Sequence, residues 1–298
     1  MTNDTNTPKH ERRIDRRTLL SGVSGALVVL AGCTNQPSPD DTSNNSSNPT
    51  TESPASQSAV FADVEVDGGK LVTALDSDTP ADWVRLFGPN GGLFAESRVS
   101  PDAKQTYLHL VGETTESYIP GTHRLVAAKD DEILGEVSVD LTPRVTLTDF
   151  RWAKKHPEMD WDKSANNWEE HAAFRLENTG NGPAILKQTR WQNAPFVLRT
   201  DENEQTFDHS IVLPPEETTT VYSTPPVYET SGGLVGASAI ECETIDTKTL
   251  QLTTVIQPGS NPTYSETIKY GGKKGACELN ILDSETTNQT QTTNGSDT

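Results

Sequence analysis

Between Val60 and Leu282 the apolar residues come in short runs, and most runs are closed by glycine, proline, asparagine or aspartate. An amphipathic helix needs a 3.6-residue stripe sustained over roughly ten or more residues, whereas a half-buried strand needs only alternation over about four to eight. This chain follows the second pattern. Asp67-Gly68-Gly69 splits Asp63–Val66 from Lys70–Leu75. Trp83–Phe87 runs into Gly88-Pro89-Asn90-Gly91-Gly92, and Leu93-Phe94-Ala95 follows. Tyr107–Val111 is a further apolar run. His123–Ala128, the charged turn Lys129-Asp130-Asp131 and Glu136–Leu141 read as a hairpin, with Val137, Val139 and Leu141 on one face. Short strands at this spacing imply a β-sandwich.

Tyr118-Ile119-Pro120-Gly121-Thr122-His123 resembles the entry to a late strand of immunoglobulin-like domains, where a tyrosine, a proline-glycine turn and an outgoing strand recur. Thr142-Pro143 marks a boundary, because proline cannot continue a central strand. Beyond it, Ala172–Glu177 leads into Asn178-Thr179-Gly180-Asn181-Gly182-Pro183. This resembles the strand-and-turn signature of the cell-adhesion-related domains of bacteria and archaea. The resemblance implies glycine at positive φ, with asparagine closing the turn through its side chain. Leu213-Pro214-Pro215-Glu216-Glu217 before Thr218–Ser223 resembles the proline-led strand entry of the same domains, with Glu216 where they carry glycine. The charged insertion 153–170 and the stretch after Pro225 depart from a compact module. The expected fold is all-β: two immunoglobulin-like β-sandwich modules, 59–142 and 143–282, after a signal peptide (1–32) and a lipidated cysteine with a disordered tether (33–58), and before a disordered tail (283–298).

The N-terminus supplies the export reading. A basic region is followed by an apolar run, Leu19 to Gly32, too short to cross a hydrocarbon core of about 30 Å. Arg16-Arg17-Thr18-Leu19-Leu20 resembles the twin-arginine export motif, with Arg16, Arg17, Leu19 and Leu20 as its recognition residues. Leu30-Ala31-Gly32-Cys33 resembles a lipobox: small residues admit a peptidase to the backbone, and the Cys33 thiol accepts the lipid. Together these resemble haloarchaeal-type twin-arginine-exported lipoproteins. The implied localisation is the extracellular face of the cell membrane, anchored through the lipid on Cys33. No second long apolar run is present, so no C-terminal anchor is expected.

Thr34 to Gln57 is rich in Asn, Ser, Thr, Pro and Asp and lacks apolar periodicity, so it reads as a tether. Asn44, Asn45, Asn288 and Asn294 open N-x-Ser/Thr sequons, candidate glycosylation sites. The whole chain carries a formal charge of −19. Cleavage before Cys33 leaves 19 basic against 40 acidic side chains, a formal −21. Such a surface repels phosphate backbones, which argues against nucleic acid as a partner. The carboxylates also repel one another, and concentrated salt screens that repulsion. A halophilic setting is therefore expected.

The sequence has no His-x-His, His-Glu-x-x-His, Cys-x-x-Cys, Gly-x-Ser-x-Gly or Gly-Lys-Ser/Thr motif. Gly271-Gly272-Lys273-Lys274-Gly275 lacks the spacing of a phosphate loop and reads as a hairpin turn. No cofactor, no metal and no enzymatic activity are expected. In an exported chain, Cys242 and Cys277 read as a disulfide joining two strand-like runs, Ala239–Ile245 and Ala276–Leu282. The richest local cluster lies between Trp152 and Trp191, with Trp161 and Trp168 inside it. Asp160-x-Asp162-x-Ser164 begins like a calcium loop, but Ala165 and His171 replace the glycine and the bidentate glutamate. Trp161, Trp168, Asp160 and Asp162 are thus either a ligand surface, as a weak calcium site or an aromatic platform for a sugar or peptide, or a loop pinned to the sandwich by its tryptophans. The functional expectation is a non-catalytic surface lipoprotein, a binding or structural module with an envelope protein as its partner. A solute-binding receptor subunit would call for two α/β lobes and helical periodicity. A surface-held hydrolase would call for the missing motifs.

Overall fold

The computed structural model describes residues 59–100, 105–115, 117–195, 204–223, 227, 241–274 and 276–288. The export motif, the lipobox with Cys33, the tether with Asn44 and Asn45, and Asn294 lie outside the described residues. The described chain is all-β, with fifteen strands in four antiparallel sheets. No helix among the described residues is long and apolar enough to cross a membrane.

The first sandwich contains β1 (Phe61–Asp67), β2 (Lys70–Leu75), β3 (Trp83–Phe87), β4 (Leu93–Arg98), β5 (Gln105–His109), β6 (Gly121–Lys129) and β7 (Glu132–Leu141). One sheet runs β1-β2-β5 and the other β4-β3-β6-β7. Alternate residues face inward, as period-two patterning requires. Leu71, Val84, Leu86, Leu108, Leu125, Val137, Val139 and Leu141 close the core between the sheets.

The second sandwich contains β8 (Val145–Trp152), β9 (Ala172–Asn178), β10 (Ala184–Gln192), β11 (Glu204–Leu213), β12 (Glu217–Tyr222), β13 (Lys248–Gln257), β14 (Thr263–Lys273) and β15 (Ala276–Thr287). Its sheets run β12-β9-β8 and β11-β10-β13-β14-β15. Leu147, Trp152, Phe174, Leu176, Leu186, Trp191, Leu250, Leu252, Ile256 and Ile268 pack between them. Phe150 stacks on Tyr264 at 4.4 Å between ring centroids.

Two boundaries differ from the sequence reading. Residues 283–287, expected to belong to a disordered tail, are instead strand: β15 continues to Thr287 and its last residues pair with Thr263–Thr267 of β14. Both faces of that extension are exposed, so backbone hydrogen bonds hold it without apolar burial. Cys242 was expected in a strand but lies in a 3-10 turn, Cys242–Thr244. Past Ile268, β14 pairs with β15 but no longer with β13, and the Cys242–Thr244 turn lies beside that end without joining the ladder. The disulfide itself forms: Cys242 and Cys277 are bonded, with Cα atoms 5.3 Å apart. It ties the 3-10 turn to the start of β15, over Tyr270.

The sandwiches are joined by more than the Thr142-Pro143 connector. Asn178, 1% exposed, uses all its side-chain capacity there. Its Oδ1 accepts from the Arg144 and Gly180 N–H groups, and its Nδ2 donates to the Gly182 and Leu213 carbonyls. Asn181 accepts from the Thr142 N–H and donates to the Asp140 carboxylate. The buried Tyr118 hydroxyl donates to the Pro183 carbonyl, so the tyrosine of the immunoglobulin-like signature latches the neighbouring sandwich. Burial pushes that phenol's pKa far up, and the Asp140 charge adds to the shift. A bulge at Lys187 in β10 frees its side chain to donate to the Gly112 and Glu113 carbonyls of the first sandwich. Ile185, opposite Val212 in the ladder, enters the first sandwich's core from the second. Close approach explains the glycines of the turn. Gly180 does not have positive φ, contrary to expectation; a Cβ there would overlap the Thr142 carbonyl and the Arg144 nitrogen. A Cβ on Gly182 would strike the Tyr118 hydroxyl.

Candidate functional site

Of the four tryptophans in the 152–191 region, two serve the core. Trp152 and Trp191 occupy inward positions of β8 and β10. The Trp152 indole donates to the Glu266 carboxylate at 2.8 Å, and Trp191 donates to the Thr189 hydroxyl. Burial raises the pKa of Glu266, while the hydrogen bonds from Trp152 and Tyr264 and the charge of Lys155 lower it in part.

Trp161 and Trp168 belong to the insertion between β8 and β9. That segment is a succession of tight turns: Met159 N–H to His156 O, Trp161 N–H to Met159 O, Lys163 N–H to Trp161 O and Ala165 N–H to Asp162 O. Two 3-10 turns, Ala153–Lys155 and Trp168–Glu170, bracket it. Trp161 anchors the segment. Its ring is buried among Ala153, Ala173, Met159 and Tyr222, and its Nε1 donates to the His156 carbonyl at 2.7 Å. It meets Tyr222 edge to face at 4.9 Å. At the far end, His171 Nδ1 donates to the Ser223 carbonyl at 2.7 Å. The insertion is thereby closed onto the end of edge strand β12.

This closure leaves a cavity of about 470 Å³, lined by Asp160, Trp161, Asp162, Trp168, His171 and Tyr222 among others. The structure therefore brings together all four residues singled out from sequence. Tyr222 and Ser223 were not identified from sequence, and His171 entered only as the residue that breaks the calcium pattern. Tyr222 ends a threonine-rich strand fifty residues away, and its only local signal is an aromatic side chain in an otherwise small, polar run.

The calcium-like spacing does not form a coordination shell. Asp162 Oδ1 accepts from the Ser164 N–H and hydroxyl, which closes a turn. Those two hydrogen bonds hold the Asp162 carboxyl below the usual carboxylate range. Among the described residues no group of three or more His, Cys, Asp or Glu is placed to hold a metal ion. Lys163 Nζ stands over the Trp168 ring, 5.6 Å from its centroid. Of the other residues singled out from sequence, Asn288 is exposed and its Oδ1 accepts from the Leu147 N–H.

No protein-family model matches the chain, and no curated protein matches it. Among solved structures it is similar to the BSP domain of a biofilm-associated protein, at 9% identity and a TM-score of 0.21, over 76% of this chain and 28% of that one. It is also similar to a β-glucuronidase of glycoside hydrolase family 2, at 11% identity and 0.19, over 72% and 20%. A Salmonella alpha-2-macroglobulin mutant aligns at 11% identity and 0.18, over 75% and 20%. The chain thus spans between 20 and 28% of the length of these structures.

Proposed function

We propose that this chain is a twin-arginine-exported lipoprotein, anchored through Cys33 to the outer face of the cell membrane, whose two sandwiches act as a non-catalytic binding or structural module in a halophilic cell envelope. The observation that carries the reading is the junction. Tyr118, Asn181 and Lys187 join the two sandwiches by hydrogen bonds, that of Tyr118 buried, so a module held at one end presents the other in a fixed orientation. A surface display element needs that property. The Cys242–Cys277 disulfide supports export, because such bonds persist in oxidising compartments. The formal −21 of the processed chain supports a salty medium, where short Debye lengths relieve carboxylate repulsion.

The test is fractionation with surface labelling. Intact cells expressing the full chain are treated with a membrane-impermeant amine reagent, then separated into membrane and medium. The parent is expected in the membrane fraction and labelled from outside. Cys33→Ser is expected in the medium. Retention of the serine variant in the membrane fraction at the parental level, or an unlabelled parent, overturns the reading.

A further inference from the structure

The cavity beneath the insertion has a specific chemical character. Three aromatic side chains (Trp161, Trp168 and Tyr222) and two carboxylates (Asp160 and Asp162) face it, and its described lining contains no lysine or arginine. Its volume of about 470 Å³ falls within the range of roughly 300–1,000 Å³ typical of small-molecule sites. An aromatic ring presents a negative face, which attracts cations that lie within about 6 Å of its centroid. The chain already uses this: the Lys163 ammonium sits 5.6 Å from the Trp168 centroid. Trp168 therefore offers a face that accepts positive charge, next to two carboxylates that neutralise it.

Three ligand classes compete for such a site. A hard metal ion requires about six to eight oxygen ligands, and one Asp162 oxygen is already committed to Ser164. A sugar stacks flat on a broad, open aromatic face, and the near-perpendicular Trp161 and Tyr222 rings, with Trp161 only 8% exposed, offer no such plane; a compact cation needs only one ring face, which Trp168 supplies. An alkylated ammonium suits the observations better. It is weakly hydrated, so little is lost when it leaves water, and it needs aromatic faces and nearby negative charge without directional oxygen ligands.

We propose that the cavity enclosed by Trp161, Trp168, Tyr222, Asp160 and Asp162 is a binding site for small organic cations bearing an alkylated ammonium group. The proposal rests on the reading of the ectodomain as a binding module and assigns its ligand class.

The experiment titrates the full-length protein with tetramethylammonium chloride at constant ionic strength, exchanging it for potassium chloride, with calorimetry and tryptophan fluorescence as readouts. Saturable binding in the millimolar range or tighter is expected. Asp162→Asn and Trp168→Ala should each weaken it roughly tenfold. Lys163→Met should leave it unchanged, because Lys163 is not among the lining residues; a change as large as that of Trp168→Ala would place the cation outside this cavity and overturn the proposal. Asp162 is exposed, so its variant retains the fold; far-UV circular dichroism checks each variant. An unsaturable response in the folded parent overturns the proposal. So does saturable binding of calcium or a neutral oligosaccharide, lost in Asp162→Asn or Trp168→Ala, with no response to tetramethylammonium. Those results leave the surface-module reading standing, because fractionation reads it separately.

Discussion

Replacing Asn178 with alanine removes four hydrogen bonds from the place where the second sandwich meets the connector. The lost partners are the Arg144 and Gly180 N–H groups and the Gly182 and Leu213 carbonyls, at 2.9 to 3.1 Å. A typical intramolecular hydrogen bond contributes about 0.5–1.5 kcal/mol net, and a buried group left without a partner costs about 1–3 kcal/mol. Asn178 is 1% exposed, and three of its four bonds are buried. Water reaches the vacated groups poorly, and the expected destabilisation is about 4 kcal/mol. Asn178→Asp sharpens the test. It keeps the acceptor roles but sets a carboxylate against the Gly182 and Leu213 carbonyls, so it should lose at least as much. The assay is guanidinium denaturation of the full-length chain at fixed salt, followed by far-UV circular dichroism and tryptophan fluorescence. A loss below about 1 kcal/mol for Asn178→Ala, or an aspartate variant as stable as the parent, would refute the reasoning.

Glu216 sits at φ +59°, so Glu216→Gly should raise stability by about 0.5–1 kcal/mol in the same denaturation assay; an unchanged or lower midpoint contradicts the strain argument. Reducing the Cys242–Cys277 bond, which spans 35 residues, should cost about 4 kcal/mol in the chain-entropy model while leaving strand content intact; equal midpoints with and without reductant would refute this. The folded-state pKa of Glu266 is raised above its ordinary value of 4.5, chiefly by burial. In the window between the unfolded and folded values the native state holds the extra proton, so this group's contribution is full below about 4.5 and falls as pH rises through the folded value. Glu266→Gln should therefore be more stable than the parent at neutral pH, with the difference shrinking as the medium is acidified through that window; a difference that grows in acid reverses the sign and sinks the assignment.

Strands β2, β3, β5 and β7 of the first sandwich were legible because each alternates buried and more exposed positions, which writes alternation directly into the sequence. Val137, Val139 and Leu141 are buried, and their neighbours on β7 are more exposed. The end of β15 was illegible for the opposite reason. Asp283-Ser284-Glu285-Thr286-Thr287 has no buried face, so its composition reads as tail; only pairing with β14 keeps it in the sheet. Glycines in the Asn178–Pro183 turn were recognised as constrained, but the constraint was misattributed. Positive φ is a local property that a turn signature can imply. Overlap with Thr142 and Arg144 is a contact across more than thirty residues, and no local pattern carries it. Glu216 shows the converse: the backbone is left-handed, at φ +59°, at the position where the resembled strand entry carries glycine, although the residue there is not glycine.

The candidate site divides along the same line. Asp160, Trp161, Asp162 and Trp168 stood out because they crowd one polar segment, where tryptophan has no strand period to satisfy. Trp152 and Trp191 belonged to the same count but fall at inward strand positions, and the core absorbs them. Sequence proximity therefore grouped four tryptophans that the sandwich separates into two pairs. Burial in β8 and β10 settles one pair, and the other is left to line a cavity. That cavity needs a wall from elsewhere, and edge strand β12 supplies Tyr222 and Ser223 through its pairing with β9. The insertion closes on that edge through Trp161 against Tyr222 and through His171 and Ala172, which hydrogen-bond to Ser223 as β9 begins. The site is thus a product of sheet topology: an insertion entering β9 is carried to whichever strand β9 pairs with, and its chemistry is completed there.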